Sequence, residues 1–447
     1  MKSVFSLKWW AILCLVLPAL VSGCEQMPFI SKEPVVLTLW HVYGGQTNSP
    51  LNDMVDRFNQ TVGLREGITV NVTSISNSTA IHFALVAAAK KLPGAAELPD
   101  MFVAYPKTAL AIGPERLMDW KDHLGEKKRK AFVPSFLSEG MVNNRLTLLP
   151  VAKSSSALFI NATIFDQFSR ETGIQYSDLA TWEGMFTAAK RYHQWSGGKS
   201  FFKYDDWMHY GMVNTASLGG TFFRENAINF QDGVFRNIWN TLAKAALSGE
   251  VSLFGGYSTT DMMTGEIVCG IESTAAILYF KDKVTFPDNT TAPLRLKVLP
   301  VPHFAKGKPL AIQRGGGLGV VQSTKRKDRA AAVFGEWLTA AENNVPFVVK
   351  TGYFPVTTDA YKDFFAKYSS GLPHEGYREL YTAMLAIQNA YTFYIPPFFE
   401  NYGEVEKRFS DAQLALFKKY RGKIELDHVQ FEAFLYDMFI ELQDSVQ

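Results

Sequence analysis

The 447-residue chain is poor in the residues that carry covalent or metal-dependent chemistry. It has three cysteines, and Cys14 and Cys24 both fall in or just after an apolar N-terminal stretch, which leaves Cys269 alone. A single cysteine makes neither an internal disulfide nor a zinc site. It lies in Ile267-Val268-Cys269-Gly270-Ile271, a strand-like run, and reads as a small buried hydrophobe. The eight histidines are scattered, with no His-Glu-x-x-His helix, so neither a metal nor any other cofactor is expected. Net charge is only +2, with no basic stripe, which argues against a nucleic-acid partner. The densest basic run, Lys127-Lys128-Arg129-Lys130, reads as a solvated helix face. Catalytic signatures are missing too. There is no Gly-x-Ser-x-Gly elbow. Gly198-Lys199-Ser200 resembles the end of a phosphate loop, but the glycine required five residues earlier is His193. Gly315-Gly316-Gly317-Leu318-Gly319 lacks dinucleotide spacing and leads into a strand rather than a helix.

What is present begins at the N-terminus. Lys2 and Lys8 precede Trp9 to Leu20, an uncharged apolar stretch followed by Val21-Ser22-Gly23-Cys24. That stretch falls short of the ~20 residues that span a bilayer, so a cleaved signal fits better than a transmembrane anchor. Small residues directly before a cysteine resemble a bacterial lipobox. On that reading residues 1–23 are a signal peptide, Cys24 carries lipid as the first mature residue, and residues 24–34 are a tether.

Apolar residues make up 47% of the chain and charged residues 20%, a globular composition long enough for more than one core. Val35 to Trp40 is nearly continuous in apolar residues, as in a parallel strand buried on both faces. Ser49-Pro50 reads as a helix start, with the serine hydroxyl as cap and Leu51, Met54, Val55 and Phe58 on one apolar face. A second strand at Ile68–Val72, a helix from Ile81 to Lys90 and a third strand at Met101–Val103 complete the alternation of an α/β lobe with a parallel sheet. A second lobe of the same kind starts near Leu149-Pro150. It has a strand at Ala157–Ile160 and helices over Trp182–Tyr192 and Asp328–Leu338. Leu296–Val301 and Leu318–Val321 read as further buried strands, and the last hundred residues as helices.

Polar and aromatic residues gather where the expected strands end, which is where ligands sit in open α/β sheets. The first strand runs out in Trp40-His41-Val42-Tyr43, the second reaches Ser76-Asn77-Ser78, and the third Ala104-Tyr105-Pro106-Lys107. Hydroxyls, amides and aromatic faces suit a sugar: hydrogen bonds at the ring edge and stacking on its apolar face.

Five motifs in order then carry a resemblance: Thr38-Leu39-Trp40-His41; Leu149-Pro150-Val151-Ala152-Lys153-Ser154-Ser155-Ser156 followed by Leu158-Phe159-Ile160-Asn161; Gly265-Glu266-Ile267; Gly315 to Val320; and Thr351-Gly352-Tyr353-Phe354-Pro355-Val356. Over essentially the whole mature chain the series resembles family 1 extracellular solute-binding proteins, the carbohydrate and glycerol-phosphate receptors of ABC importers. The resemblance implies a type II periplasmic-binding-protein fold: two doubly wound α/β lobes, each interrupted in sequence, with a hinged ligand cleft between them. It implies an N-terminal lobe of 35–150 plus 294–323 and a C-terminal lobe of 151–293 plus 324–447. The crossings would then lie near Leu149–Lys153, Thr291–Leu294 and Ser323–Lys325. It assigns ligand contacts to Ser154, Ser155, Ser273, Gly316 and Tyr353, with Asn77, Ser78 and Tyr105 beside them, and a stacking role to Trp207. The implied partners are a sugar or polyol and the importer's membrane subunits, with the protein a monomer.

One departure bears on the ligand. The glycerol-phosphate receptors carry an arginine in a late loop that here reads Phe399-Glu400-Asn401-Tyr402-Gly403, leaving Arg314 and Lys153 as substitute cations. A neutral sugar or polyol is therefore favoured over glycerol-3-phosphate or a glycerophosphodiester. A lipid-anchored glycan hydrolase is the alternative of another class, and would need two carboxylates across a cleft, drawn from Asp100, Asp205, Asp206 and Glu272.

Overall fold

A computed structural model describes residues 33–43, 49–253, 256–360, 371–372, 374–421 and 428–446. The expected signal, Cys24 and all but the last two tether residues lie outside the described residues. No helix among the described residues is long and apolar enough to cross a membrane.

Two five-stranded sheets organise the chain. Their strands, in chain order, are β1 (Val35–His41), β2 (Ile68–Ser74), β3 (Met101–Ala104), β4 (Leu148–Pro150), β5 (Ser156–Asn161), β6 (Phe202–Tyr204), β7 (Val251–Ser252), β8 (Cys269–Ser273), β9 (Leu296–Pro300) and β10 (Gly317–Val320). The first sheet runs β2-β1-β3-β10-β4 and the second β7-β6-β8-β5-β9. The two orders are the same pattern. In each, four strands run in one direction and the fifth, β10 or β5, is antiparallel to both its neighbours. The antiparallel strand is in each case the one whose chain has just arrived from the other sheet, so each lobe receives one strand running against its own parallel set. This is the two-lobed type II architecture.

Separate cores hold the lobes. Leu37, Leu39, Leu51, Val55 and Phe58 gather under the first sheet, while Leu158, Phe165, Trp182, Phe202 and Leu242 gather under the second. Burying side chains of this size stabilises by about 1.5–3 kcal/mol each, which is what offsets the ordering of two sheets.

Three local expectations need correction. Leu296–Pro300 belongs to the second sheet, paired with β5 from Leu296↔Asn161 to Pro300↔Ala157, and not to the first lobe. The helix Lys325–Thr339 packs on the first lobe, its Phe334 and Trp337 rings at 5.0 and 5.3 Å from Phe58, and not on the second. An apolar run states that a strand is buried, but not in which sheet. Ser49 precedes the helix Pro50–Phe58, yet its buried hydroxyl donates to the Tyr43 carbonyl instead of capping the helix.

The crossings converge on one seam. Lys153 pairs with Phe354 and Ser154 with Arg314 through backbone hydrogen bonds, so three segments lie side by side between the sheets. Only the first of them, just beyond Pro150, falls near its expected position. Lys153 is buried at the centre of this seam, its Nζ 2.7 Å from Glu139 and 2.6 Å from the Gly315 carbonyl. Gly315 holds φ at +92°, and a Cβ there would lie 2.4 Å from the Ala152 carbonyl oxygen, so the seam requires glycine at this position.

Candidate functional site

The shared topology decides where a ligand fits. Parallel strands present their carboxyl ends and antiparallel ones their amino ends to the same edge, so both sheets offer one edge to the space between them. From the first sheet come Tyr43 after β1, Asn77 and Ser78 after β2, and Tyr105 after β3. From the second come Tyr204 and Asp205 at the end of β6, and Glu272 and Ser273 at the end of β8. Ser154 and Arg314–Gly316 arrive just before the antiparallel strands β5 and β10. All of these line one cavity of about 650 Å³. A smaller cavity of about 240 Å³ adjoins it, sharing Ser78, Tyr105, Asp206 and Arg314 and closed by Tyr402 and Glu406. Lys107, on the helix Pro106–Ile112, reaches 2.6 Å to Glu406 on the helix Tyr402–Tyr420, and so ties the first lobe to the second beside this smaller chamber.

Tyrosine dominates the walls. Tyr43 and Tyr353 meet edge to face at 5.2 Å, and the buried Tyr43 hydroxyl has no hydrogen-bond partner among the described residues. The Tyr105 hydroxyl accepts the Gly315 N–H at 3.2 Å. Tyr257 and Tyr279 stand 67% and 50% exposed at the rim, the display expected of aromatic faces held ready for a ligand.

Charges in the cavity are largely spoken for. Arg314 is held among Tyr105, Asp206 and Tyr204, and the Asp206 and Tyr105 oxygens keep its guanidinium charged despite burial. Asp206 caps the helix Trp207–Ser217, accepting the His209 N–H at 3.0 Å, and its carboxylate lies 2.7 Å from His209 Nδ1. Burial works against the Asp206 charge, but His209 and Arg314 outweigh it and hold the carboxyl well below the usual carboxylate range. Asp205 and Glu272 form a second acidic pair. Ser258 joins them, its N–H going to Asp205 at 3.1 Å and its hydroxyl to Glu272, which also accepts the Thr259 N–H at 2.6 Å. Burial first, and then the neighbouring Glu272 charge, push the Asp205 carboxyl up to about 8.

Residues 53–371 match the model of the bacterial extracellular solute-binding proteins. The chain belongs to that family. The curated proteins contain no match. Among solved structures, this solute-binding protein is similar to the cyclic α-maltosyl-1,6-maltose-binding protein of Arthrobacter globiformis, at 17% identity and a TM-score of 0.69, covering 92% of this chain and 98% of that one. It is similar to an ABC substrate-binding protein of Listeria monocytogenes in complex with cycloalternan, at 16% identity and a TM-score of 0.69, covering 92% and 99%. A third is the UgpB protein of Mycobacterium tuberculosis in complex with glycerophosphocholine, at 16% identity and a TM-score of 0.68, covering 91% and 98%. At these identities the likeness speaks for the fold.

Nine of the expected contact residues of this solute-binding protein line the larger cavity: Tyr43, Asn77, Ser78, Tyr105, Ser154, Ser273, Arg314, Gly316 and Tyr353. Asn77 also has a structural duty, capping the helix Ser78–Ala89 through Ala80 N–H at 2.8 Å. Gly316 lies so close to β3 that a Cβ would meet Val103 and Ala104 at 3.0–3.1 Å. Two expected residues lie elsewhere. Ser155 is buried in the seam, donating its hydroxyl to the Ile312 carbonyl at 2.8 Å. Trp207 is half-buried against Phe417, ring centroids 5.1 Å apart, and lines neither cavity. Its neighbours Asp205 and Asp206 take the cleft-facing positions, because the chain turns at the Asp206 cap. Lys153 is likewise withdrawn into its ion pair with Glu139, and Asp100 is bound to Thr38 and Lys327, away from the cavity.

Proposed function

We propose that this protein captures a sugar, oligosaccharide or polyol between its two lobes, outside the cytoplasm, and delivers it to the membrane subunits of an ABC importer. Lipid on Cys24 would hold the monomer at the membrane. The observation that carries the ligand class is the cavity wall, which joins tyrosine faces and small hydroxyl and amide groups to carboxyls and lacks an uncommitted cation among its described residues. A sugar presents hydroxyls that such groups bind and an apolar face that tyrosine covers. Ligand that touches both lobes favours the arrangement in which both walls are in reach, so binding and lobe closure are one equilibrium.

A phosphorylated glycerol compound finds less support. Arg314 is engaged by Asp206 and Tyr105, Lys153 by Glu139, and the acidic pair Asp205–Glu272 would repel a phosphate. Hydrolysis of a glycan fares no better. Asp205 and Glu272 are both bound to Ser258 and so sit together on one wall, whereas glycosidase carboxyls flank the bond they cleave from its two sides.

A thermal-shift screen of the chain from Glu25 onward tests the reading, using neutral sugars, oligosaccharides, polyols and glycerol phosphates. Ligand at ~100 times its dissociation constant adds about 2.7 kcal/mol of stability, enough for a shift of a few degrees. A shift with sugars or polyols and no turnover is expected. A shift confined to phosphorylated compounds, or consumption of a glycoside, would overturn it.

A further inference from the structure

One segment straddles both lobes outside the seam. The short strand Thr392–Tyr394 pairs with Leu310–Ile312, and the Tyr394 carbonyl accepts the Gln313 N–H at 2.8 Å, so the segment sets out from beside a crossing. Pro396 and Pro397 follow, and their ring-locked φ angles stiffen the chain as it leaves. The next two side chains then part. Half-buried Phe398 packs on the first-lobe cluster of Ile81, Leu85 and Phe102, while Phe399 meets Phe223 of the second lobe, ring centroids 5.4 Å apart. Tyr402, at the start of the helix Tyr402–Tyr420, also meets Phe223, at 5.8 Å. One turn on, Glu406 reaches Lys107 of the first lobe at 2.6 Å, and the same ammonium stands 5.2 Å from the centre of the Tyr402 ring. The Lys107 and Glu406 side chains are 16% and 28% exposed, so solvent screens this pair less than an open surface pair.

We propose that residues 396–406 form a latch: Phe398 and Glu406 seat on the first lobe, draw the two lobes together and so set how tightly the cleft holds a ligand. Each of these contacts joins one protein group to another, so the latch acts before a ligand arrives as well as after. Opening the cleft must pull Phe398 off its apolar cluster and part Lys107 from both the Glu406 carboxylate and the Tyr402 face. A protein whose closed arrangement is already populated binds with the intrinsic dissociation constant divided by the closed fraction. Latch residues are therefore positioning residues that scale affinity by one common factor, whereas a wall residue such as Tyr353 acts ligand by ligand. The proposal rests on the two-lobed architecture and not on the sugar reading, so either can fail without the other.

The test is double electron–electron resonance on the chain from Glu25 onward, dialysed free of small molecules. Spin labels go on Leu64→Cys and Lys190→Cys, exposed positions on the first and second lobe, and buried Cys269 stays unlabelled. With the latch intact, the shorter, closed distance should dominate. Lys107→Met and Phe398→Ala should each raise the open-to-closed ratio about three- to tenfold, with the melting temperature reporting that each variant folds. Lys107→Glu should open the cleft further, and the exchange Lys107→Glu/Glu406→Lys should restore the closed distance, which a pair that serves only as packing would not do. A longer distance that dominates with the latch intact, a ratio unmoved by both single variants, or a charge exchange that fails to rescue Lys107→Glu would each overturn the proposal.

Discussion

Replacing Lys153 with methionine isolates the seam on which the two lobes turn. The Lys153 and Glu139 side chains are 3% and 5% exposed, at 2.7 Å, and the same ammonium bonds the Gly315 carbonyl. Removing one member of a buried pair strands the other charge and costs about 3–5 kcal/mol, whereas an exposed pair is worth at most about 1 kcal/mol. Unfolding entropy of about 2.1 cal/mol/K per residue, taken over 447 residues, is about 0.9 kcal/mol/K. Lys153→Met should therefore lower Tm by about 3–5 °C in a calorimetric melt. The double variant Lys153→Met/Glu139→Gln should regain at least half of that, because the neutral amide no longer needs a cation and its oxygen can still accept from Gln313 Nε2. Recovery stays incomplete because the Gly315 carbonyl remains without its donor. A drop below about 1 °C in the single variant, or a double variant worse than either single, would refute the claim that this charge pair holds the seam.

Three other substitutions separate packing from binding. Trp207→Ala should cost about 2–4 kcal/mol in urea denaturation through lost contact with Phe417, and leave sugar affinity unchanged; a large affinity loss would restore Trp207 to the site. Tyr43→Phe removes a buried hydroxyl that lacks a partner among the described residues, so it should raise the melting temperature of the free protein while weakening ligand about 2–10-fold, as read by calorimetry. Ser155→Ala should cost about 1–3 kcal/mol in denaturant titration by freeing the Ile312 carbonyl, again without a change in affinity.

These contrasts show what the sequence could and could not say. Strand ends were legible in the first lobe, because Val35–Trp40 and Met101–Val103 are short apolar runs and Ile68–Val72 alternates, and the residues just beyond them, Tyr43, Asn77 and Tyr105, follow from the strand-end rule alone. Tyr257 and Tyr279 were missed. Tyr257 immediately precedes the short helix Ser258–Met263 and Tyr279 ends the 3-10 turn Thr274–Tyr279, where no strand periodicity marks the site and where exposure is set by the fold. Trp207 was misplaced because its partner Phe417 lies 210 positions along the chain, on a helix whose docking no local pattern reports. The lobe boundaries slipped for a related reason. β9 is apolar enough for either sheet, and only its register against β5 assigns it to the second.

Proton balance gives the last test, and it links the first strand to the cleft. His41 is fully buried, with Nδ1 accepting the Tyr43 N–H at 3.1 Å and Nε2 placed 2.9 Å from the Asn52 Oδ1 acceptor. That arrangement suits the neutral ring, since a second proton on Nδ1 would point at an N–H donor. Burial lowers His41 from its ordinary value of 6.5 to about 4. Below pH 6.5 the unfolded chain takes up a proton that the folded one refuses. The stability is thus complete above 6.5 and is lost as pH falls towards 4, by about 3 kcal/mol in all. His82, also lowered to about 4, adds a smaller loss of the same sign. Asp205 acts in the other direction: raised to about 8, it retains a proton that the unfolded chain has given up, so its contribution declines as pH climbs from 3.8 to about 8. Melting temperature against pH should therefore crest near the ordinary histidine value. His41→Gln should flatten the acid limb and shift the crest downward, and Asp205→Asn should flatten the alkaline limb. Since Tyr43 hangs from the His41 ring, wild-type affinity should also weaken as pH drops towards 4. An acid limb unchanged in His41→Gln would mean that the ring is already charged in the folded protein, and that Tyr43 is held by something other than this hydrogen bond.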